Sequence, residues 1–66
     1  MFRYFVYEKE TKNTIRFSEV EDDRGIMIGT LYIQKDSLED MGYEPDDYED
    51  MTLSVDINVE VPEDAI

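Results

Sequence analysis

The side chains best placed to do chemistry are the carboxylates of the run Asp46-Asp47-Tyr48-Glu49-Asp50. Carboxylate oxygens are the ligands that Ca²⁺ and Mg²⁺ prefer, and paired carboxylates can hydrolyse glycosidic bonds. Neither chemistry fits this sequence. The twelve-residue calcium loop needs oxygen ligands at alternating positions around a central glycine, and a glycosidase needs a deeper cleft than a small sheet offers. We therefore expect no metal site, no cofactor and no catalytic residues, and predict that the protein is not an enzyme.

Histidine and cysteine are absent from the 66 residues, which excludes imidazole catalysis, thiol nucleophiles, disulfides and zinc sites built from these residues. Eighteen acidic residues outnumber six basic ones, giving a net charge of −12. Nucleic-acid binding depends on clustered Lys and Arg, so direct nucleic-acid binding is not expected. The apolar runs are too short to span a membrane or to form a leader, which favours a cytoplasmic protein.

The negative charge is concentrated in the C-terminal half. Residues 1–35 are neutral in sum, whereas residues 36–50 carry −8 and residues 51–66 carry −4. The acids of residues 36–50 are the candidate partner-binding residues: Asp36, Glu39, Asp40, Glu44, Asp46, Asp47, Glu49 and Asp50. They predict a non-enzymatic interaction module whose acidic surface binds a basic protein partner, up to mimicry of nucleic-acid phosphates.

A solvated surface adapted to high salt, as in halophilic organisms, would also explain the acidity and would need no partner. Such adaptation acidifies every exposed element of a protein. The exposed hairpin tip expected at residues 9–13 nevertheless carries Lys9 and Lys12. The uneven distribution therefore favours a binding surface, although both interpretations stay open from the sequence.

The sequence predicts a small α+β fold, mainly β, with the elements in the order β-β-β-short helix-β. Because the connections between these elements are short, the strands should form a four-stranded antiparallel sheet. Alternating and β-branched segments predict strands at residues 2–8, 14–20, 26–34 and 51–61. Residues 2–8 are apolar on both faces, which predicts a well-covered strand, and residues 26–34 are the most apolar, which predicts a central one. Tyr4, Tyr7 and Tyr32 are expected to be half-buried.

Between the last two strands, the segment after Asp36 has the pattern of a short helix. Asp36 is the expected N-cap, Leu38 and Met41 are expected to face the sheet, and Gly42 is expected to end the helix. Residues 43–50 are predicted to form a loop. Residues 1–61 then form a single domain, with residues 62–66 as a flexible tail.

The predicted sheet has more apolar side chains than one covered face can bury. The second apolar faces of the first and third strands would stay exposed unless the sheet curls or a second copy covers them. We therefore expect a homodimer that packs through this surplus of Phe, Tyr, Met and Ile side chains.

Two resemblances add to this interpretation. The strings TKNT at residues 11–14 and IGTLYIQK at residues 28–35, followed by a late alternating strand, resemble small uncharacterised acidic proteins of haloarchaea and of actinobacteria and their phages. That resemblance implies a microbial, intracellular setting, salt-adapted where the relatives are haloarchaeal and linked to mobile elements where they are from phages. It implies no mechanism.

The second resemblance covers about half of the chain. LYIQK at residues 31–35, then Leu38, Met41-Gly42, Pro45 and an alternating strand, is similar to the swapped-hairpin AbrB family of transition-state regulators and antitoxins, although Gln34 stands where the family usually has Pro. This resemblance implies an intertwined dimer that binds DNA, as the alternative function. The nucleic-acid contacts would then be Arg3, Lys9, Lys12 and Arg16 in the N-terminal hairpin.

Overall fold

Four strands and two short helices make up the fold, and the computed structural model describes residues 1–61. The elements are β1 (Phe2–Glu10), β2 (Thr14–Glu19), β3 (Thr30–Gln34), α1 (Lys35–Asp40), a 3₁₀ helix (Pro45–Asp50) and β4 (Thr52–Asp56). The strands form one antiparallel sheet in the order β3-β2-β1-β4. The predicted class, α+β and mainly β with a four-stranded antiparallel sheet, is confirmed. The predicted tail at residues 62–66 lies outside the described residues.

One face of the sheet holds the core, and we call it the inner face. Phe5, Ile15 and Phe17 are fully buried there, and Leu38 of α1 and Tyr48 of the 3₁₀ helix complete the buried cluster. Leu31, Ile33, Leu53 and Val55 pack around that cluster from the two edge strands. The opposite face, which we call the outer face, carries the alternate residues of every strand and has no covering layer among residues 1–61.

The first hairpin is longer than its sequence pattern predicts. β1 continues to Glu10 because a bulge between Tyr7 and Lys9 resets its register against β2. The turn is closed by threonines, since the Thr14 backbone N–H donates to Thr11 Oγ1 (3.0 Å) and the Thr11 N–H donates to the Thr14 carbonyl oxygen (2.9 Å). β1 is a central strand, but its predicted coverage on both faces is wrong, because Phe2, Tyr4 and Val6 lie on the open outer face.

The third strand is shorter than predicted, and its central place in the sheet was predicted wrongly. It covers Thr30–Gln34 and lies at the edge, next to β2 only. Residues 26–29 cannot join it because the backbone N–H groups of Met27, Ile28 and Gly29 donate to the Glu19 carboxylate. The predicted turn before this segment is present, with an isolated bridge between Asp22 and Gly25.

Helix α1 is confirmed as a short helix that ends before Gly42, but its details differ from the prediction. Its N-cap is Gln34, so that Asp36 lies within the first turn. The Tyr43 N–H donates to the Leu38 carbonyl oxygen (3.0 Å) and the Gly42 N–H to that of Glu39 (2.9 Å), a Schellman end that requires the positive φ of Gly42 (97°). Leu38 faces the sheet as expected, whereas Met41 is 65% exposed.

Residues 43–50 hold more structure than the predicted loop. Pro45 begins the 3₁₀ helix, where its missing N–H costs nothing, and the Glu44 N–H donates to Asp47 Oδ2 (3.0 Å). Tyr48 is buried against β1 and the rest of the core. This burial could not be predicted from the sequence, because the residues next to Tyr48 are acidic. This buried ring attaches the acidic segment to the sheet.

β4 shows the predicted alternation but pairs over a shorter length than residues 51–61. Phe2 pairs with Asp56 and Val6 with Thr52, so the ladder ends where β1 begins. One further hydrogen bond joins the Ile57 N–H to the Met1 carbonyl oxygen (2.8 Å). Val59 and Val61 lie beyond the reach of β1 and are exposed.

Candidate interaction surface

We call α1, the 3₁₀ helix and the segment between them the helical layer. Eight carboxylates lie on its solvent side, and we call them the acidic surface: Asp36, Glu39, Asp40, Glu44, Asp46, Asp47, Glu49 and Asp50. All eight are exposed to solvent, and their assignment as partner-binding residues stays a prediction. α1 buries Leu38 and the 3₁₀ helix buries Tyr48, so each short helix turns its remaining side chains outward. Two buried anchors thereby hold the acidic surface on the sheet.

None of these eight carboxylates forms an ion pair with a base of residues 1–61. The cations that do form ion pairs serve other acids: Arg3 pairs with Glu19 and Asp22, Arg16 with Glu8, and Lys35 with Glu10. Each of these pairs ties parts of the sheet and its connections together. The acidic surface therefore has no ion pair of its own within residues 1–61, and Asp36 alone has bases nearby, since it lines a small cavity together with Lys12 and Lys35.

An open apolar groove of about 680 Å³ lies beside this surface, between α1, the segment that follows it and β4. Phe17, Leu38, Met51 and Leu53 supply its apolar lining, and Met41 and Tyr43 supply further apolar surface. Asp47 and Asp50 are its charged lining residues, and no base among residues 1–61 lines it. Sequence reasoning missed the groove because it placed Met41 against the sheet.

The tightest polar site is a cluster around a buried Arg3, which is 2% exposed. Its Nε donates to Glu19 Oε2 (2.7 Å) and its Nη1 to Asp22 Oδ2 (2.9 Å), while Nη2 reaches Glu19 Oε2 and the Gly25 carbonyl oxygen. Glu19 Oε1 accepts the Ile28 N–H (2.7 Å) and the Gly29 N–H (3.0 Å). We call this the Arg3–Glu19 cluster; it ties the start of β1 to the end of β2 and the loop before β3.

The cluster shifts the ionisation of its members. Burial by itself raises the pKa of Glu19, but the N–H donors of Gly29, Met27 and Ile28 and the Arg3 guanidinium outweigh burial and lower that pKa to about 2. The hydrogen bond to Glu19 raises the pKa of Arg3 against the effect of desolvation. The Arg24 N–H and Arg3 together lower the pKa of Asp22. Both partners thus stay charged, and the cluster is a structural clamp.

The sequence did contain a signal for this cluster. Glu19 continues the inward alternation of Ile15 and Phe17, and Arg3 precedes Phe5 by two residues on β1. A charge of each sign at an inward position of neighbouring strands indicates a buried pair. Arg3 was instead predicted as a phosphate contact, and its burial makes that assignment wrong.

The other predicted nucleic-acid contacts do not form a basic patch. Lys9 and Lys12 are exposed near the hairpin tip. Arg16 is half-buried, pairs with Glu8 and lies over the ring of Tyr32, 5.8 Å from its centroid. DNA binding through the hairpin therefore stays a prediction that depends mainly on two lysines.

The outer face exposes apolar side chains that no second layer of residues 1–61 covers. Tyr4 is 53% exposed and Tyr32 is 56% exposed, so each is about half covered, as predicted, and Tyr7 on the inner face is also partly buried. Phe2, Val6 and Val20 are exposed beside Tyr4. Two ion pairs lie on this face, Glu8 with Arg16 and Asp56 with the Met1 ammonium group (3.1 Å), and Lys9, which the register places opposite Arg16, forms no ion pair within residues 1–61.

Within the described range, residues 1–61, no three Asp or Glu side chains converge to form a possible metal site. No helix in that range has the length and apolar character needed to cross a membrane. No family model, curated protein or solved structure matches the chain. The function is therefore inferred from the surface of the protein.

Proposed function

We propose that this protein is a non-enzymatic interaction module whose acidic surface binds a basic protein partner. The observation that supports the proposal is the lack of compensation: all eight carboxylates are exposed, and none pairs with a base among residues 1–61. A surface of one sign attracts a partner of the opposite sign and raises the rate of encounter.

The arrangement of the cations strengthens the proposal. Arg3 and Arg16 form their ion pairs within the sheet and its connections, and Lys35, the first residue of α1, pairs with Glu10 of β1 rather than with the acidic surface. A surface adapted only to salt has no need of such segregation. The basic partner supplies the missing cations.

Two triple variants with the same net charge test this proposal. Asp40→Asn, Asp46→Asn and Glu49→Gln remove three charges from the acidic surface, whereas Glu21→Gln, Asp23→Asn and Glu60→Gln remove three exposed charges elsewhere. Affinity capture from a microbial lysate with the parent chain first identifies a salt-sensitive basic partner. The first triple should then weaken binding of that purified partner roughly 10-fold, and the second should change it little.

Equal weakening by both triples would contradict the proposal, because net charge alone would then explain the attraction. A capture that yields no salt-sensitive basic partner would contradict it as well.

A second proposal concerns the outer face, for which we propose a second copy of this chain as the partner. Two copies of a protein with net charge −12 repel each other, so they can meet only where charge is compensated. The carboxylates Glu8 and Asp56 of the outer face are paired, and the face exposes Phe2, Tyr4 and Val6 on β1 and Val20 directly after β2. Burial of these side chains would supply the apolar contact that a dimer needs.

Light scattering tests the dimer. The parent chain should have twice the monomer mass at micromolar concentrations, and Tyr4→Ser with Val6→Ser should reduce it to the monomer mass. Met41→Ser, on the opposite side of the sheet, is the control and should leave the mass unchanged. A monomeric parent chain would exclude this interface.

A further inference from the structure

The groove beside the acidic surface has the size and lining of a binding site. Its volume of about 680 Å³ lies within the range of roughly 300–1,000 Å³ that is usual for ligand-binding clefts. Phe17 and Leu38 are themselves buried and give it a firm apolar base. β4 is an edge strand, so no further strand of residues 1–61 closes the groove on that side.

The rim of the groove consists of adaptable apolar groups. Met41 is exposed because α1 ends at Asp40 and Gly42 turns the chain away. Tyr43 follows directly and is also exposed, 44%. A methionine can adjust its flexible thioether to a partner, and a tyrosine offers a rigid ring with a polar end. These two side chains form a pair of contacts that the core of the protein does not use.

The charge at the rim selects among possible occupants. Asp47 and Asp50 line the groove, the other carboxylates of the 3₁₀ helix are close in sequence, and no Lys or Arg of the described part of the chain lines it. An anionic ligand or a nucleic acid would be repelled. A neutral apolar ligand would gain nothing from the carboxylates. The complementary occupant carries an apolar side chain and positive charges together.

We propose that the groove receives a large apolar side chain, such as Leu or Phe, from the basic partner, with Lys or Arg residues on both sides of it that contact the acidic surface. This proposal rests on the proposed function and deepens it by stating what the partner's binding segment contains. The apolar side chain supplies specificity, since burial of apolar surface is insensitive to salt screening. The flanking cations supply attraction at a distance, which salt weakens.

Two synthetic peptides of equal charge test the proposal on the intact protein. One has a central Phe flanked on each side by two lysines, and the other has Ser in place of the Phe. Isothermal titration at low and at physiological salt should show roughly 10-fold or more tighter binding of the Phe peptide. The ratio of the two affinities should persist as salt weakens both.

Variants of the protein assign this ratio to the groove. Met41→Ser with Tyr43→Ser should reduce the affinity for the Phe peptide to that for the Ser peptide and leave the latter unchanged. Both residues are exposed, so the fold should survive, and circular dichroism checks that it does. Ile26→Ser with Met27→Ser, in the exposed loop before β3 and outside the groove, is the matched control and should preserve the ratio.

The four methionines provide an independent readout. Met41 and Met51 line the groove, whereas Met1 and Met27 do not. In a methyl-labelled sample, the Phe peptide should shift the NMR signals of Met41 and Met51 and leave those of Met1 and Met27 in place. Shifts confined to Met1 or Met27 would place the peptide elsewhere and overturn the proposal.

The outcomes separate this proposal from the one on which it rests. Equal affinity for the two peptides, with binding still weakened by the acidic-surface triple, would overturn the groove proposal and leave the basic partner standing. Failure of both peptides to bind even at low salt would count against the acidic surface as a docking site, and the groove proposal would fall with it. Tighter binding of the Phe peptide that both double variants reduce alike would also overturn the groove.

Discussion

The two faces of the sheet use charged and apolar side chains in opposite ways. On the inner face, the apolar groups are buried beneath two short helices, and those helices with Glu44 expose eight carboxylates that form no ion pair within residues 1–61. On the outer face, the apolar groups are exposed, and the carboxylates Glu8 and Asp56 beside them are paired. The protein therefore has one surface dominated by unpaired negative charge and one dominated by exposed apolar side chains.

The largest expected effect is on stability and comes from the core. Phe17→Ala should cost about 3–5 kcal/mol, which approaches the whole stability of a domain of this size, because the ring is fully buried. Tyr4→Ala on the outer face should cost under about 1 kcal/mol in dilute solution, since its ring is half exposed. Urea unfolding of both variants measures the difference. If Tyr4→Ala were as costly as Phe17→Ala in the monomer, the outer face would have to be covered.

Loss of the cation in the Arg3–Glu19 cluster should rank next. Arg3→Met keeps much of the side-chain length but leaves Glu19 buried without its cation, so we expect the melting temperature to fall by roughly 10 °C or more. Arg24→Met removes an exposed arginine from the neighbouring turn and should change the melting temperature little. Similar melting temperatures for the two variants would show that the cluster does not hold the loop before β3.

The same cluster predicts how stability depends on pH. The pKa of Glu19 is about 2 in the folded protein and 4.5 as its ordinary value, so the unfolded chain binds a proton there at higher pH than the folded one. The stabilisation by Glu19 is fully present above pH 4.5 and is lost as the pH falls towards 2. Asp22 and Asp56, whose pKa values are also lowered, act in the same direction.

Acid titration of the unfolding free energy measures this dependence, with Glu19→Gln as the comparison. The variant should be less stable at neutral pH and should show a flatter pH dependence between pH 4.5 and 2. Parallel curves for the parent and the variant would contradict the role assigned to the Glu19 carboxylate.

The smallest effect concerns the acidic surface and has the opposite sign. Asp40→Asn, Asp46→Asn and Glu49→Gln should raise the free energy of unfolding at low salt by at most about 1 kcal/mol, because they relieve repulsion between exposed like charges. Molar salt should remove the gain by screening. Chemical unfolding at several salt concentrations gives both values.

The same salt series decides between a binding surface and salt adaptation. A parent chain that folds at low salt despite its charge of −12 retains the carboxylates without needing screening, which favours a partner. Folding that requires molar salt would make the acidity an adaptation to the environment.

Sequence patterns were reliable where local rules govern the chain. The alternation at residues 14–19 and 51–57 placed its side chains on the correct faces, and Gly42 ended α1 as expected. They were unreliable where a residue distant in the chain determines the local structure. Residues 26–29 are apolar enough for a strand, yet the Glu19 carboxylate binds their N–H groups and holds them as a loop.

The candidate site shows the same division. The position of the eight acids, and the lack of any base among them, could be predicted because charge is a property of the sequence. The groove could not, because it exists only where α1 ends one residue before Met41 and β4 forms the edge of the sheet. The ion pair between Arg16 and Glu8 could not be predicted either, because it depends on the bulge in β1 that aligns Lys9 with Arg16 and brings Glu8 near.

By itself, the sequence determined the class of the fold and the concentration of negative charge in the C-terminal half. It also excluded the chemistries that need histidine or cysteine, because the chain has neither residue. These follow from composition and from periodicities of a few residues. Only the tertiary structure decided that Arg3 is buried, that β1 and β2 are central, that Tyr48 anchors the acidic segment and that the outer face stays open. Each of these depends on contacts between segments far apart in the chain, where competition for one hydrogen-bond or packing partner overrides local preference.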